Sequence, residues 1–79
     1  MLTYEGMQNL SWVWTTTDPV GGWSIQESPD GLTGWTEFDQ TLPTARTYMG
    51  VDPDLFVRIV GIDLLGQPVT EPSNIIFSS

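Results

Sequence analysis

Lysine, histidine and cysteine are all missing from this chain of 79 residues, and its only basic side chains are Arg46 and Arg58. Against these two arginines stand ten Asp and Glu, so the formal net charge is −8. Binding to nucleic acid depends on several Lys or Arg contacts that release counterions, so we expect no nucleic-acid partner. An anionic membrane surface repels the chain for the same reason. The composition also excludes disulfides, zinc sites, thiol chemistry and histidine acid/base catalysis.

Long hydrophobic runs and helical patterns are scarce as well. The longest apolar stretches hold a few residues, whereas a transmembrane helix needs about 20. Residues 1–5 lack the basic and apolar regions of a secretory signal, so we expect a chain that starts at Met1 to stay inside the cell. This expectation does not apply if the chain is a piece of a larger protein. Eight Gly and six Pro are scattered so that no stretch of about 12 residues keeps a helical apolar period.

What the chain does contain is apolar and aromatic residues in strand-like patterns. Its hydrophobic fraction of 39% is enough for an ordered core. Period-2 alternation places Leu10, Trp12 and Trp14 on one face of a strand over residues 10–15. Further strands are predicted over residues 23–27, 35–38, 46–51, 55–62 and about 69–77, and Pro72 assigns the last of these to an edge or a bulge.

The spacing of these strands predicts the fold class. Turn signals recur every 8 to 12 residues or so, and Ser28 to Gly31 carry Pro and Gly where a type I turn favours them. We therefore predict an all-β chain that forms a small antiparallel β-sandwich of six or seven strands. Residues 1–79 are predicted to form one domain, with a short first strand in about 1–7 and the main sandwich in about 8–78.

The order of residues from about 9 to 76 resembles a fibronectin type III domain, a member of the immunoglobulin-like sandwiches. The resemblance rests on Leu10 and Trp12, on Trp23 and Ile25, on the turn 28–31 followed by Trp35, and on residues 51–63, 66 and 71–74. The turn followed by a tryptophan is similar to many bacterial and phage members of this family. The resemblance implies a sandwich that serves in protein contact.

Two features depart from the family. Its members usually carry a Tyr at the head of the sixth strand, whose hydroxyl braces the preceding corner, whereas this chain has Leu55 there. We therefore expect another interaction to hold that corner. The first strand is also short, so one sheet edge is expected to be poorly covered and open to a partner strand.

The residue types give little support to catalysis or metal binding. A Ser nucleophile needs a base, and in this chain only carboxylates remain for that role. The nearest carboxylate pair, Asp52 and Asp54, flanks Pro53 in a predicted solvated turn. Calcium takes oxygen ligands, and Asp30 and Asp63 also fall near predicted loop ends, but no D-x-D-x-D-G loop exists. We expect no enzymatic activity, no cofactor and no specific metal site.

The sixth predicted strand gives the most specific candidate for a contact surface. If its odd-numbered residues face the core, its even-numbered residues face outward. We interpret this outward row as a candidate protein interface, together with Trp14 near the end of the second strand. The row consists of Phe56, Arg58, Val60 and Ile62. The alternative is that side chains of neighbouring strands cover it.

The remaining tryptophans have two interpretations. Trp12, Trp23 and Trp35 fall on strand positions that alternate with polar residues, which favours the core over a platform for sugar stacking. Trp14, near a loop, is open to either interpretation.

We expect a non-catalytic module for protein contact. A small acidic domain with its own Met1 and no export signal resembles accessory proteins of tailed-phage virions. This hypothesis places it on a capsid or tail, assembled in the host cytoplasm, with capsid or tail proteins or further copies of itself as partners. The alternative is a spacer or a carbohydrate- or protein-binding module of a larger secreted bacterial enzyme or surface protein. A third hypothesis is a carbohydrate-binding unit in its own right.

Overall fold

Seven β-strands form two antiparallel sheets in the computed structural model, which describes residues 1–14 and 20–79. The strands are β1 (Leu2–Gly6), β2 (Asn9–Trp12), β3 (Gly22–Ser28), β4 (Thr36–Thr41), β5 (Thr47–Met49), β6 (Leu55–Ile62) and β7 (Ile76–Ser78). One sheet has the order β1-β2-β5 and the other the order β4-β3-β6-β7. The predicted all-β class is confirmed. Within the described ranges no helix is long and apolar enough to cross a membrane.

The central pair of the larger sheet is β3 with β6. Their register runs without interruption from Gly22 opposite Ile62 to Ser28 opposite Phe56. Trp23 and Ile25 of β3 are buried, as are Val57 and Ile59 of β6. These alternating positions give the larger sheet its inner face, because successive side chains of a strand point to opposite sides.

The smaller sheet closes the core from the other side. Leu2, Leu10 and Trp12 of β1 and β2 are buried and belong to the same hydrophobic cluster as Val51 and the inner face of β3 and β6. Burying a large aliphatic side chain stabilises a fold by about 1.5 to 3 kcal/mol relative to leaving it in water. The two sheets are therefore held together by one shared core.

Strand β4 is a protected edge. Ile25 pairs with Asp39 and Gln26 pairs with Glu37, so Phe38 is the extra residue of a β-bulge. Bulges and charged side chains are two devices by which proteins keep an edge strand from pairing with another chain. Across the open side of the sandwich, the Tyr48 hydroxyl donates to Asp39 Oδ2 at 2.7 Å. Burial and this hydrogen bond raise the pKa of Tyr48 to about 12.

The edge of β1 is covered within the chain at Leu2. The side-chain amide of Asn74 donates to the Leu2 carbonyl at 2.9 Å and accepts from the Leu2 N–H at 2.8 Å. The expectation of an open edge is therefore wrong at this residue, since both of its outward backbone groups have a partner. The Tyr4 hydroxyl adds a second link by donating to the carbonyl of Ser79.

The segment between β6 and β7 runs beside β6, and two of its side-chain hydroxyls accept hydrogen bonds from the backbone of β6. The Gly61 N–H donates to the Thr70 hydroxyl and the Ile59 N–H donates to the Ser73 hydroxyl, both at 2.9 Å. Pro72 lies between Thr70 and Ser73 and belongs to none of the seven strands. Side-chain oxygens thus replace backbone carbonyls along an irregular segment, and the strand predicted over about residues 69–77 is wrong before Ile76.

The corner before β6 is held by backbone groups and by the side chains of Ser78 and Glu27. The Ser78 hydroxyl donates to the Asp52 carbonyl at 2.7 Å, and the Asp54 N–H donates to the Ser78 carbonyl. The Asp52 N–H donates to the buried Glu27 Oε2 at 3.1 Å. The corner is therefore tied to β7 and to β3 by backbone groups and two side chains.

Glu27 carries a buried carboxylate at this corner. Burial raises its pKa above the ordinary value of 4.5, and the nearby charge of Asp52 adds to the rise, while the hydrogen bond from the Asp52 N–H opposes it. The folded chain therefore holds a proton on Glu27 at a pH where the unfolded chain has released it.

Replacing Glu27 by Gln should remove this pH dependence, because the amide keeps a carbonyl oxygen for the Asp52 N–H without a charge. The raised folded-state pKa gives the wild type stability that is fully present below pH 4.5 and is lost as the pH rises through the folded pKa. We expect urea unfolding to show that the stability of the wild type relative to E27Q falls as the pH rises from about 4 to about 7. The exposed-site variant E71Q is the control. A difference that is flat or rises with pH would contradict this assignment.

Candidate functional site

Three connections lie together at one end of the sandwich, which we call the loop end. They are the β2–β3 loop, described at residues 13–14 and 20–21, the β4–β5 loop at residues 42–46, and the β6–β7 turn at residues 63–67. The antiparallel register brings them together, because β3 begins opposite the ends of both β4 and β6. Loops gathered at one end of a rigid sandwich are a common location for binding residues.

Asp63 fixes the β6–β7 turn. Its Oδ1 accepts from the backbone N–H of Leu65 and of Gln67, each at 2.9 Å. Its backbone carbonyl accepts from the Gly66 N–H at 3.0 Å, and its own N–H donates to the Gln67 carbonyl. One aspartate therefore engages three successive N–H groups of the turn, an Asx-type arrangement that pre-organises a short loop.

The centre of this turn is apolar and exposed. Leu64 and Leu65 occupy it with 90% and 87% of their surface accessible. Central turn positions are usually taken by Gly, Pro, Asn, Asp or Ser, which suit both the backbone and the solvent. Two adjacent leucines there gain nothing from burial in this fold, so we define Leu64 and Leu65 as the leucine tip.

Two glycines shape the leucine tip and its base. Gly66 has a φ of +83°, a left-handed conformation that residues with a Cβ adopt only with strain. A Cβ at Gly21 would lie 2.8 Å from the backbone of Asp63 and Leu64. Since the Gly21 N–H also donates to the Ile62 carbonyl at 2.7 Å, the β2–β3 loop packs directly against the base of the turn.

Beside the leucine tip lies an open groove of about 510 Å³. Leu42, which is 74% exposed, and Pro43 form the wall that the β4–β5 loop contributes. The described residues that line it are Val20, Gly21, Leu42, Pro43, Asp63 and Leu64. With one carboxylate among these six described residues, the described part of the groove offers mainly apolar contact.

A tryptophan cluster supports the loop end from below. The Trp23 ring lies 6.2 Å from that of Trp12 and 5.0 Å from that of Trp14. The Trp23 indole N–H donates to the Pro43 carbonyl at 3.1 Å, and the Arg46 guanidinium donates to the same carbonyl at 2.9 Å. Arg46 also lies 5.4 Å above the Trp23 ring. These contacts anchor the β4–β5 loop, which forms one wall of the groove.

The residues predicted to form one interface do not lie on one surface of the structure. Val60 and Ile62 are 3% and 5% exposed, so the alternative that neighbouring groups cover the outward row holds at these two positions. Burial removes them from any accessible surface of the described chain. Trp14 lies at the loop end, half-buried against the core cluster.

Phe56 and Arg58 lie on the outer face of the larger sheet, away from the loop end. Phe56 is half-buried, with its ring 5.0 Å from that of Phe77. The Arg58 guanidinium lies 4.2 Å above the Trp35 ring, and its Nε donates to Gln26 Oε1 at 2.7 Å. Trp35 therefore lies half-buried beneath Arg58 and not in the core cluster, which corrects the expectation of a core position. A role of Phe56 and Arg58 in an interface stays a prediction.

The acidic residues weighed as metal ligands are engaged in local structure or spread apart. The Asp30 carboxylate accepts from the N–H groups of Leu32 and Thr33 and from hydroxyls of Ser28 and Thr33. The two backbone hydrogen bonds are the main reason that the pKa of Asp30 lies far below its usual value. In residues 1–14 and 20–79, no group of three or more His, Cys, Asp or Glu side chains gathers in a metal-binding arrangement.

Comparison with protein-family models, with curated proteins and with solved structures finds no match to this chain. The assignment of the fold to a class therefore rests on its strands and their order. The assignment of a function rests on the geometry of the loop end.

The sequence analysis did not single out the leucine tip or Leu42. Its available signal was the pair Leu64-Leu65 between Asp63 and Gly66, that is, two large apolar residues at positions where a turn favours polar ones. Only the fold brings this pair beside Leu42, because the two loops are about 20 residues apart in sequence.

The turn should depend on its backbone and not on its leucines. Gly66→Ala is expected to destabilise the protein by about 1 kcal/mol or more, because a Cβ is strained at this left-handed position. Leu65→Ser is expected to change the stability by less than about 0.5 kcal/mol, because the side chain is exposed. Urea unfolding monitored by tryptophan fluorescence measures both. An L65S variant as unstable as G66A would mean that Leu65 packs in the folded protein.

Proposed function

We propose that this protein is a non-catalytic, fibronectin type III-like module that contacts another protein through its loop end. The observation that carries the proposal is the leucine tip, which a hydrogen-bonded turn holds in solvent beside an apolar groove. Contiguous exposed apolar surface on a soluble domain marks a site of interaction. Because the turn is ordered before any partner arrives, little conformational entropy is lost on contact.

The strand order supports the fibronectin type III-like assignment. In the seven-stranded constant-type immunoglobulin fold, the fourth strand belongs to the same sheet as the first, second and fifth. Here β4 pairs with β3 and leaves β1, β2 and β5 as a three-stranded sheet. The sandwich thus favours the fibronectin type III resemblance over the constant-type arrangement, with Glu27, Asp52 and Ser78 bracing the corner in place of the family's tyrosine.

The chemistry of the loop end favours a protein over a glycan as its partner. Sugar stacking needs an accessible aromatic face. The Trp35 ring has Arg58 above it, and Trp14 is packed against Trp23 and the core. The exposed residues of the leucine tip are aliphatic and make no directional contact with hydroxyl groups, whereas an apolar pocket of a protein accommodates them.

We place this module on the surface of a phage virion, as an accessory protein of the capsid or the tail. This part of the proposal rests on the resemblance to phage members of the family and on fold analogy. The net charge of −8 suits a component that is displayed at high copy number, since it limits nonspecific association.

Two double variants test the proposal in a co-sedimentation assay with virions of the protein's source. Leu64→Asp with Leu65→Asp should abolish binding, because two carboxylates cannot enter an apolar pocket without losing their hydration. Met7→Asp with Met49→Asp adds the same charge at two exposed positions of the opposite end and should bind like the wild type. Equal binding of both variants would contradict the loop end as the contact site. Absence of the polypeptide from purified particles would contradict the virion assignment.

A further inference from the structure

We propose that a pocket at the end of the sandwich opposite the loop end receives a lysine side chain of a partner protein, whose ammonium group pairs with Glu27. This site is separate from the leucine tip, so the two ends of the module bind different partners. The pocket has a volume of about 330 Å³. We call it the Glu27 pocket, and its described lining consists of Glu27, Ser28, Pro29, Gly34, Thr36 and Leu55.

The undescribed residues 15–19 are too far away to contribute to the Glu27 pocket. Their neighbours Trp14 and Val20 lie at the loop end, where β3 begins at Gly22. Glu27 lies five residues further along β3, which is a distance of roughly 17 Å. A loop of five residues that leaves the loop end and returns to it reaches out by at most about 11 Å. The walls of the pocket therefore come from the described part of the chain.

Glu27 presents one unoccupied carboxylate oxygen to this pocket. The side chain is 6% exposed, and its Oε2 accepts from the Asp52 N–H at 3.1 Å. No described residue donates a hydrogen bond to Oε1. Among the described residues, the one fully buried side-chain nitrogen or oxygen without a partner is Trp12 Nε1, so Oε1 keeps an open side toward the pocket. A carboxylate that has lost most of its water needs a counter-ion, which this open side can receive.

The chain has no basic side chain to serve as that counter-ion. Its two arginines are Arg46, which lies over Trp23 near the loop end, and Arg58, which lies over Trp35 on the outer face of the larger sheet. In the free chain a proton compensates the charge instead, in agreement with the raised pKa of Glu27. A cation that occupies the pocket therefore comes from another molecule.

The charges around the Glu27 pocket favour a basic partner. The charge of Asp52 lies close enough to add to the rise in the pKa of Glu27. Asp30 lies in the β3–β4 loop and Asp54 in the connection from β5 to β6, so both flank this end of the sandwich. Carboxylates without a nearby cation attract a positively charged protein surface from a distance and orient it.

The lining favours a lysine over a metal ion or an arginine. Pro29 and Leu55 provide apolar walls, which suit the four-carbon stem of a lysine. Calcium takes six to eight oxygen ligands, and in the described ranges no three His, Cys, Asp or Glu side chains gather in a metal-binding arrangement. Since one oxygen of Glu27 already accepts from Asp52, a compact ammonium suits the remaining oxygen better than the two-pronged guanidinium group of arginine.

Blocked tripeptides test this inference by NMR of the full chain at about pH 8, where a lysine ammonium keeps its charge. Gly-Lys-Gly should shift the backbone amide signals of residues 27–36 and 52–55, with saturation at millimolar concentration. Gly-norleucine-Gly, which has the same stem without the ammonium, should cause no saturable shift. Equal shifts from the two peptides would overturn the inference. Tighter binding of Gly-Arg-Gly, or of calcium chloride at the same amides, would also overturn it.

Matched variants separate the pocket from the overall charge. Glu27→Gln should weaken binding of Gly-Lys-Gly at least about tenfold, because a hydrogen bond to a charged group is lost. E71Q removes the same charge at an exposed position and should bind like the wild type. Thr36→Phe fills the pocket from its exposed wall without changing any charge and should also abolish binding. Thr47→Phe, at an exposed position of β5, is its control. Binding of the peptide by T36F with the affinity of the wild type would overturn the pocket as the site, whether or not E27Q folds.

Discussion

The pairing of β3 with β6 is the constraint on which the rest of the molecule depends. Its seven consecutive residue pairs set the inner face of the larger sheet, where Trp23 and Ile25 meet Val57 and Ile59. A shift of one residue would turn these side chains to the other face, so burial of the core fixes the register. Of the eight buried residues in the described core cluster, four lie on this pair of strands.

The same pairing places the loop end. Gly22 lies opposite Ile62, so the residues just outside this pair, Gly21 and Asp63, come together at the top of the sheet. Asp63 then orders the turn through its backbone and its side chain, and the turn holds the leucine tip in solvent. The position of the apolar site is thus a direct consequence of the strand register, and the tryptophan cluster below gives it a rigid support.

Local pattern predicted most of the strands but not the surfaces, and the strand predicted over about residues 69–77 is confined to Ile76–Ser78. The strand predicted over residues 55–62 matches β6, because its apolar run and flanking turn residues are signals within one segment. Val60 and Ile62 are buried on the outward row, and Trp35 lies under Arg58, because other segments of the chain pack beside them. The period-2 alternation within one strand contains no information about such neighbouring segments. The brace at the corner before β6 escaped prediction for the same reason, since it joins residues from β3, β7 and the corner itself.

The central claim is that the leucine tip is ordered in the free protein and therefore ready for contact. Amide hydrogen exchange of the isolated chain tests it most directly, because the N–H groups of Leu65, Gly66 and Gln67 all donate to Asp63. We predict that these three amides exchange measurably more slowly than those of an unstructured peptide of the same sequence. Exchange at the rate of the peptide would mean that the turn is open in solution and would contradict the account.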